Sequence, residues 1–414
     1  MYFRLYNHCN LVEGAKCGAI YNLQSGKVLS LNQGALQLLK ECQSNALEDI
    51  MDVSAPQNHT YLKFLDDLIV KKLGSLYIME PDPNDHVQTV EPQKLDFLVL
   101  EVTSRCNNTC LHCYTTSGPC AHESSVPHEC WLSVISEAHK SGASGIQIIG
   151  GEPLLYPEWR ELVLKARQER FESIEIFTNA TLITDSDVEF FKANNVIIST
   201  SIYAGNAEIH DKVTLNPGSF DKTMASIKKI LASSIPLRIY SVIMKTNESE
   251  AENITNLCAE LGLEGICPPA VRPVGRGNDE QLLPEKYTNK YIKPPFYTDQ
   301  YAFAQAHCYH RTLAGNITIA YTGDAIPCIF ARNHVCGSIL TNSLIEILAS
   351  EKLNQFWHTT KDHVEKCKDC EYRYACPDCR CCPITQQGSD AKSWPACPTG
   401  CSYNPYTGEW ADEI

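Results

Sequence analysis

From Leu95 onward the chain alternates between short β-rich runs and stretches of helical spacing. The runs are "KLDFLVLEV", "SGIQIIG", "SIEIF", "VIISTSI", "LRIYSVIM" and "EGICPPAV". Between them, stretches such as "YPEWRELVLKARQER" and "SFDKTMASIKKILASS" repeat apolar residues every three or four positions, as an amphipathic helix does. Six such alternations predict a parallel sheet wrapped by helices with right-handed crossovers. In sheets of this kind the chemistry sits at the C-terminal ends of the strands.

Those strand ends carry candidate groups. After the first run, "CNNTCLHC" places Cys106, Cys110 and Cys113 at the mouth of the sheet with no fourth cysteine in the segment. Four ligands close a structural metal site, whereas three leave one position open for chemistry. The competing reading is a zinc knuckle completed by a distant residue such as His122. After the second run, Gly150 and Gly151 of "GGEP" let a ligand approach the backbone, and Glu152 is an anionic group at the same mouth. Asn179 follows the third run. Ser199 and Ser201 of the fourth face one way by strand alternation. Arg272 and Arg276 in "RPVGRG" follow the sixth and suit a carboxylate, with solvent-facing arginines as the alternative.

Cysteine usage extends the pattern. There are 21, an odd number, and 11 of them lie from Cys308 onward. Disulfide scaffolds are short and exported. This 414-residue chain shows neither the basic start and apolar core of a signal peptide nor a membrane-length apolar run, so metal ligation in a cytoplasmic protein is expected. A net charge of -14 argues against broad nucleic-acid or anionic-membrane binding and points to a protein, peptide or small-molecule partner.

The chain resembles the radical S-adenosylmethionine (SAM) enzymes through the CxxxCxxC loop and "CLHCY". The resemblance implies a partial (β/α)6 barrel over 94–293 and a [4Fe-4S] cluster held by Cys106, Cys110 and Cys113, with SAM on the open iron. It implies that His112 lies near the adenine, that Gly150, Gly151 and Glu152 form the methionine-binding motif, and that Asn179 and Ser201 touch the nucleoside; the carboxylate expected for Arg272 is then one on SAM or on the substrate. The reduced cluster would cleave SAM to a 5'-deoxyadenosyl radical. Relatives often carry "SxDG" after the fourth strand, where this chain has Tyr203 and Ala204 before Gly205.

The tail, 294–414, has little periodicity and is expected to be held by metal rather than by an apolar core. Its order of Cys308, Gly323, Cys328, Cys367, Cys370 and Cys376 looks like the SPASM extension, which binds two auxiliary [4Fe-4S] clusters. By resemblance, Cys367, Cys370, Cys376 and Cys397 hold one; Cys308, Cys328 and Cys379 or Cys381 hold the other, its fourth ligand open. Zinc ribbons are the alternative. Cys336, Cys382 and Cys401 are spares. Those at 9, 17, 42, 120, 130, 258 and 267 read as ordinary side chains.

The first 93 residues read as a small mixed domain and linker: a hairpin turning at "SG", a helix in "NQGALQLLKECQS", a second helix ending at Gly74, and a strand in "SLYIME". They resemble the winged-helix-like element that binds leader peptides of ribosomally made, modified peptides, which would work by adding a strand to a sheet edge. The expected function is therefore a peptide maturase that abstracts hydrogen from a precursor and installs a thioether, carbon–carbon or carbon–oxygen crosslink, fed by a flavodoxin or ferredoxin. The alternatives are a maturase of folded protein and a non-catalytic zinc-binding peptide adaptor. Tyr203, His210, Asp211 and Tyr240 are candidate bases by position.

Overall fold

A computed structural model describes residues 1–81, 90–91, 93–121, 124–263, 268–287, 292–377 and 401–411. The front segment runs β1 (Tyr2–Leu5), β2 (Cys9–Glu13), β3 (Gly18–Asn22), β4 (Lys27–Leu31), helices α1 (Gln33–Cys42), α2 (Leu47–Ile50) and α3 (His59–Val70), then β5 (Gly74–Tyr77). In place of a single hairpin, β2, β3 and β4 form a three-stranded antiparallel meander, and β5 returns beside β1. Gly26 turns the "SG" corner at φ +76°. The helix expected to reach Gly74 stops at Val70. Lys72 turns the chain at φ +56°, and Gly74 begins β5, where a Cβ would lie 2.6 Å from the Phe3 ring.

Strand alternation gives the meander two buried faces. Ile20 joins Leu38, Leu39, Leu65 and Leu68 in the front core, while Val12, Ala19 and Tyr21 pack against Phe296, Phe303, Tyr372 and Tyr374 of the tail. The front sheet is thus sandwiched between its own helices and the tail.

The predicted barrel strands appear as β6 (Phe97–Glu101), β7 (Gly145–Ile149), β8 (Ser173–Phe177), β9 (Ile197–Ser201) and β10 (Leu237–Tyr240), parallel and in sequential order. Helices α4 (His128–Lys140), α5 (Trp159–Gln168), α6 (Asp185–Ala193), α7 (Ala207–Thr214), α8 (Ser219–Ala232) and α9 (Ala251–Glu260) connect them or follow. Leu98, Leu100, Ile146, Ile148, Ile174, Ile176 and Ile198 share the core with Trp131, Leu162 and Phe191 of those helices. Burying each aliphatic side chain contributes roughly 1.5–3 kcal/mol. The opposite face carries Glu101, Gln147, Glu175, Ser199, Ser201 and Arg238, and its polarity marks the concave side. The sixth expected strand is reduced to a parallel bridge, Ile243 with Ala270, and residues 264–267 of that run lie outside the described residues.

The tail departs from expectation. β11 (Asn316–Ile319) pairs in parallel with β6, and β12 (Asp324–Ile326) and β13 (Gly337–Ser338) continue antiparallel, so tail and barrel share one eight-stranded sheet. Leu313, Ile317, Ile319, Leu344, Leu353, Phe356 and Trp357 belong to the barrel core. An apolar core therefore holds this part of the tail, contrary to the expectation of metal alone. The residues that build it come from helices α11 (Leu344–Leu348) and α12 (Glu351–His358) as well as from β11 and the adjoining loops, whereas α10 (Gln300–Cys308) turns Phe303 and Ala306 to the front sheet. Among the described residues no helix is long and apolar enough to cross a membrane.

Candidate active site

The loop after β6 is fixed by backbone bonds on both flanks. Thr109 N–H donates to Thr214 O at 3.0 Å, Leu111 N–H to Val213 O at 2.9 Å, and Cys106 N–H to Gly118 O at 3.1 Å. Arg276 N–H donates to Cys113 O at 2.9 Å, and its Nε donates to Cys110 O at 2.8 Å. The expected carboxylate ligand of Arg276 is thereby replaced, in part, by the loop's own carbonyls. Gly275 sits at φ +58° with its Cβ position 2.5 Å from Cys113 O. Gly275→Ala is expected to add backbone strain to a collision that cannot relax, lowering the melting temperature by several degrees and loosening the loop. A melting curve of the purified variant checks it.

Cys106, Cys110 and Cys113 lie close enough for each thiol of the set to influence the Cys110 titration. Burial, with Glu152 next in effect, pushes the Cys106 thiol up to about 12, and burial raises Cys110 further. A metal must therefore displace bound protons. Cys106 Sγ accepts from Asn108 N–H at 3.4 Å and from Asn179 Nδ2 at 3.8 Å, and Cys113 Sγ accepts from Ser117 N–H at 3.4 Å. Thr115 Oγ1 lies 3.2 Å from Cys113 Sγ. Among the described residues no three His, Cys, Asp or Glu side chains converge on one metal-ion position. Three neighbouring thiols, two of them with N–H donors aimed at their sulfurs, suit a cluster that would offer each thiolate its own iron.

The GGEP turn works differently from its sequence reading. Cβ positions at Gly150 and Gly151 would strike Thr103 O and Arg105 O, so the close approach that the glycines permit is that of the loop backbone. Gly151 N–H donates to Thr103 O at 2.7 Å and Glu152 N–H to Arg105 O at 2.8 Å. The Glu152 carboxylate is taken up by donors of the protein itself. It is fully buried and accepts from Leu154 N–H at 3.1 Å, Thr178 Oγ1 at 2.6 Å and Asn179 N–H at 2.8 Å. Its role here is to hold Asn179, whose Nδ2 also reaches Asn107 Oδ1 at 2.8 Å. Burial raises the Glu152 carboxyl to about 7.

His112 packs edge-on against Tyr203, ring centroids 4.7 Å apart, with Nδ1 buried and without a hydrogen-bond partner among the described residues. Burial, then Arg276, lowers it to about 4, so a neutral ring with a free nitrogen is available to a bound group. Ser201 ends β9 on the concave face, while Ser199 is committed to buried Glu175, which also accepts from Arg238 Nη1 at 3.0 Å. Arg272 lies over the Phe330 ring at 4.3 Å. Of the candidate bases, His210 is buried between Tyr203 and Phe220 and accepts from Tyr203 N–H at 3.3 Å. Asp211 caps the Gly218–Phe220 turn and Tyr203 is enclosed, leaving Tyr240, exposed and stacked on Phe177 at 5.3 Å, as the accessible one.

In the tail, Cys308 is exposed at the end of α10 and Cys328 is part-buried in the loop after β12. Cys367 and Cys370 are joined by the bond from Cys370 N–H to Cys367 O at 3.0 Å. Burial raises Cys370 to about 12, with Cys376 and Cys401 among the neighbours that add to it. Cys401, a spare by sequence, is thus brought near Cys370, as Cys376 is; Cys379, Cys381 and Cys397 lie outside the described residues, as does His122. Sequence reasoning missed Glu101 and Arg332. Glu101 is fully buried at the end of β6 and accepts from Arg332 Nη1 at 2.8 Å and Nη2 at 2.9 Å. No local signal links residues so distant in the chain.

With the geometry in view, the family comparisons are decisive. The radical SAM superfamily model matches residues 100–258, and the SPASM iron–sulfur cluster-binding domain model matches 308–371. The chain carries a radical SAM domain and a SPASM domain. It is similar to the antilisterial bacteriocin subtilosin biosynthesis protein AlbA of Bacillus subtilis, 26% identical over 67% of this chain and 66% of that protein, just under two thirds of its length. It is also similar to an AdoMet-dependent heme synthase of Methanosarcina barkeri, 25% identical over 72% and 94%. SuiB of Streptococcus suis bound to S-adenosylmethionine shares the fold at TM-score 0.57 and 16% identity, over 93% of this chain and 97% of that one. SuiB bound to precursor peptide SuiA gives 0.56 over 94% and 97%, also at 16% identity. The radical SAM match begins within β6 and contains the three-cysteine loop, the GGEP turn and Asn179. The SPASM match contains β11 to β13 and Cys308 through Cys370.

Proposed function

We propose that this chain is a peptide maturase: Cys106, Cys110 and Cys113 hold a [4Fe-4S] cluster, and a ribosomally made precursor receives an intramolecular crosslink at the barrel mouth. The observation that carries the reading is the three-thiol loop, stabilised by Asn108, Asn179 and Ser117 N–H donors at the C-terminal ends of the strands. A relative named for bacteriocin biosynthesis and a similar fold bound to a precursor peptide support the substrate class. When bound, the cluster and SAM supply hydrogen abstraction from an unactivated carbon. The chain's part is to bind, orient and enclose. His112 offers a neutral ring nitrogen toward the nucleoside, and Gly150, Gly151, Asn179, Ser201 and Arg272 frame the same mouth. Cys367, Cys370, Cys376 and either Cys397 or Cys401 hold one auxiliary cluster, and Cys308, Cys328 and Cys379 or Cys381 the other.

The front sheet supplies the peptide's anchor. Its β4 edge is occupied, with Val28 N–H donating to Phe296 O at 3.2 Å and Thr298 N–H to Gly26 O at 2.8 Å. No strand among the described residues pairs with the outer side of β2, which leaves it for an incoming leader strand. An electron donor of flavodoxin or ferredoxin type reduces the cluster in a cytoplasmic setting.

The test is anaerobic reconstitution with iron and sulfide, then metal and sulfide counting and SAM cleavage with dithionite. About twelve irons per chain with 5'-deoxyadenosine release are expected. Zinc without sulfide, and no nucleoside, would leave the adaptor reading. The heme synthase match, spanning 94% of that relative, favours a second reading with a non-peptide substrate. Co-production with candidate precursor peptides separates them, because a crosslinked peptide loses a pair of hydrogen atoms in mass.

A further inference from the structure

The loop holding Cys110–Tyr114 is gripped from two sides. On one, Gly275 and Arg276 close on the Cys110 and Cys113 carbonyls. On the other stands the tail loop that begins with Cys328. Phe330 meets the Tyr114 ring edge-on, centroids 5.5 Å apart and planes at 65°, and Arg272 covers Phe330. Arg332, two residues further, lies 6.0 Å from the Tyr114 ring centroid while its fork grips Glu101, the residue that ends β6. Within the Cys328 loop itself Ala331 N–H donates to Cys328 O at 2.9 Å, His334 N–H to Ala331 O at 3.0 Å, and Cys336 N–H to Ala325 O at 2.7 Å.

A bidentate arginine–carboxylate pair fixes orientation as well as distance, which a single contact does not. We propose that Arg332 is a positioning residue: by clamping Glu101 under Tyr114 it sets the Cys328 loop in register with the three-cysteine loop, so that the auxiliary site at Cys328 is assembled from the barrel side. The inference rests on the auxiliary cluster assigned above to Cys328. A role confined to charge balance is the rival, because an arginine leaving Glu101 alone in the interior destabilises any fold.

Two variants separate the roles. Arg332→Met strands the Glu101 charge. The double change Glu101→Leu with Arg332→Met removes both charges and refills the space with apolar groups, which restores stability when balance is all that matters. Each is compared with the unmodified chain by melting temperature, by iron content after reconstitution, and by the rate at which iodoacetamide labels Cys328 and Cys106 in the metal-free chain. The single variant is expected to melt lower and the double variant to recover. Both are expected to lose about a third of the iron and to label Cys328 several-fold faster, with Cys106 labelling unchanged. A double variant with the iron content and Cys328 labelling of the unmodified chain would overturn the positioning role. An unmodified chain that holds iron for a single cluster would instead overturn the auxiliary assignment, and this inference with it.

Discussion

Replacing Cys106, Cys110 and Cys113 together by alanine is expected to abolish 5'-deoxyadenosine release while leaving about eight of twelve irons in place. The separation follows from the architecture. The three thiols belong to a loop bonded to Val213, Thr214 and Gly118, whereas the tail cysteines are carried by segments with their own supports: Tyr21 donates to Glu371 O at 2.8 Å, and Lys361 Nζ donates to buried Cys376 O at 2.7 Å. Removing sulfur from the loop costs little fold stability, because alanine fills most of the space and the loop's backbone bonds survive. SAM cleavage in the triple variant would refute the ligand assignment. Loss of all iron would show that the tail sites depend on the first.

Glu152→Ala should have the largest effect of any single change at the mouth. Three donors, Leu154 N–H, Thr178 Oγ1 and Asn179 N–H, lose their acceptor in a site without solvent, a cost of about 3–5 kcal/mol. Asn179 is released with them, so both the melting temperature and the yield of the first cluster should fall. Glu152→Gln keeps the volume and one acceptor oxygen and should lose less. The carboxyl also sets a pH slope. Its folded value of about 7 stands above the ordinary 4.5, so the folded chain holds a proton that the unfolded chain has released. Stability is therefore fullest below pH 4.5 for this group and declines as pH rises to about 7, by at most ~3 kcal/mol. His112 and His210, both lowered to about 4 by burial, act oppositely over 6.5 to 4. Comparing melting curves of Glu152→Gln and the unmodified chain from pH 4.5 to 8 isolates the Glu152 slope. Parallel curves would show that the carboxylate is charged throughout.

What the sequence made legible is what short-range physics writes into it. Runs such as "SIEIF" and "VIISTSI" announce β8 and β9 because their inward and outward positions differ, and the three-cysteine spacing announces itself. The glycines of GGEP were recognised as a close approach, yet the approaching partner, the Thr103–Arg105 backbone, comes from another loop. Glu101 with Arg332, and Cys370 beside Cys401, were invisible because tertiary packing alone joins them. The tail's missing periodicity misled for a related reason: its apolar residues are scattered over short elements that each lend one or two side chains to a core built elsewhere.

The pairing of β11 with β6 has a consequence for how the chain is made. Phe97 and Asn316 are partners, yet they leave the ribosome more than 200 residues apart, tens of seconds at ordinary rates of synthesis. Throughout that interval the first strand of the barrel offers an open hydrogen-bonding edge, the kind of edge that draws other chains into aggregates. Truncation before residue 316 should therefore yield insoluble protein, and a cell that overproduces this chain would do well to slow translation or supply chaperones until β11 arrives.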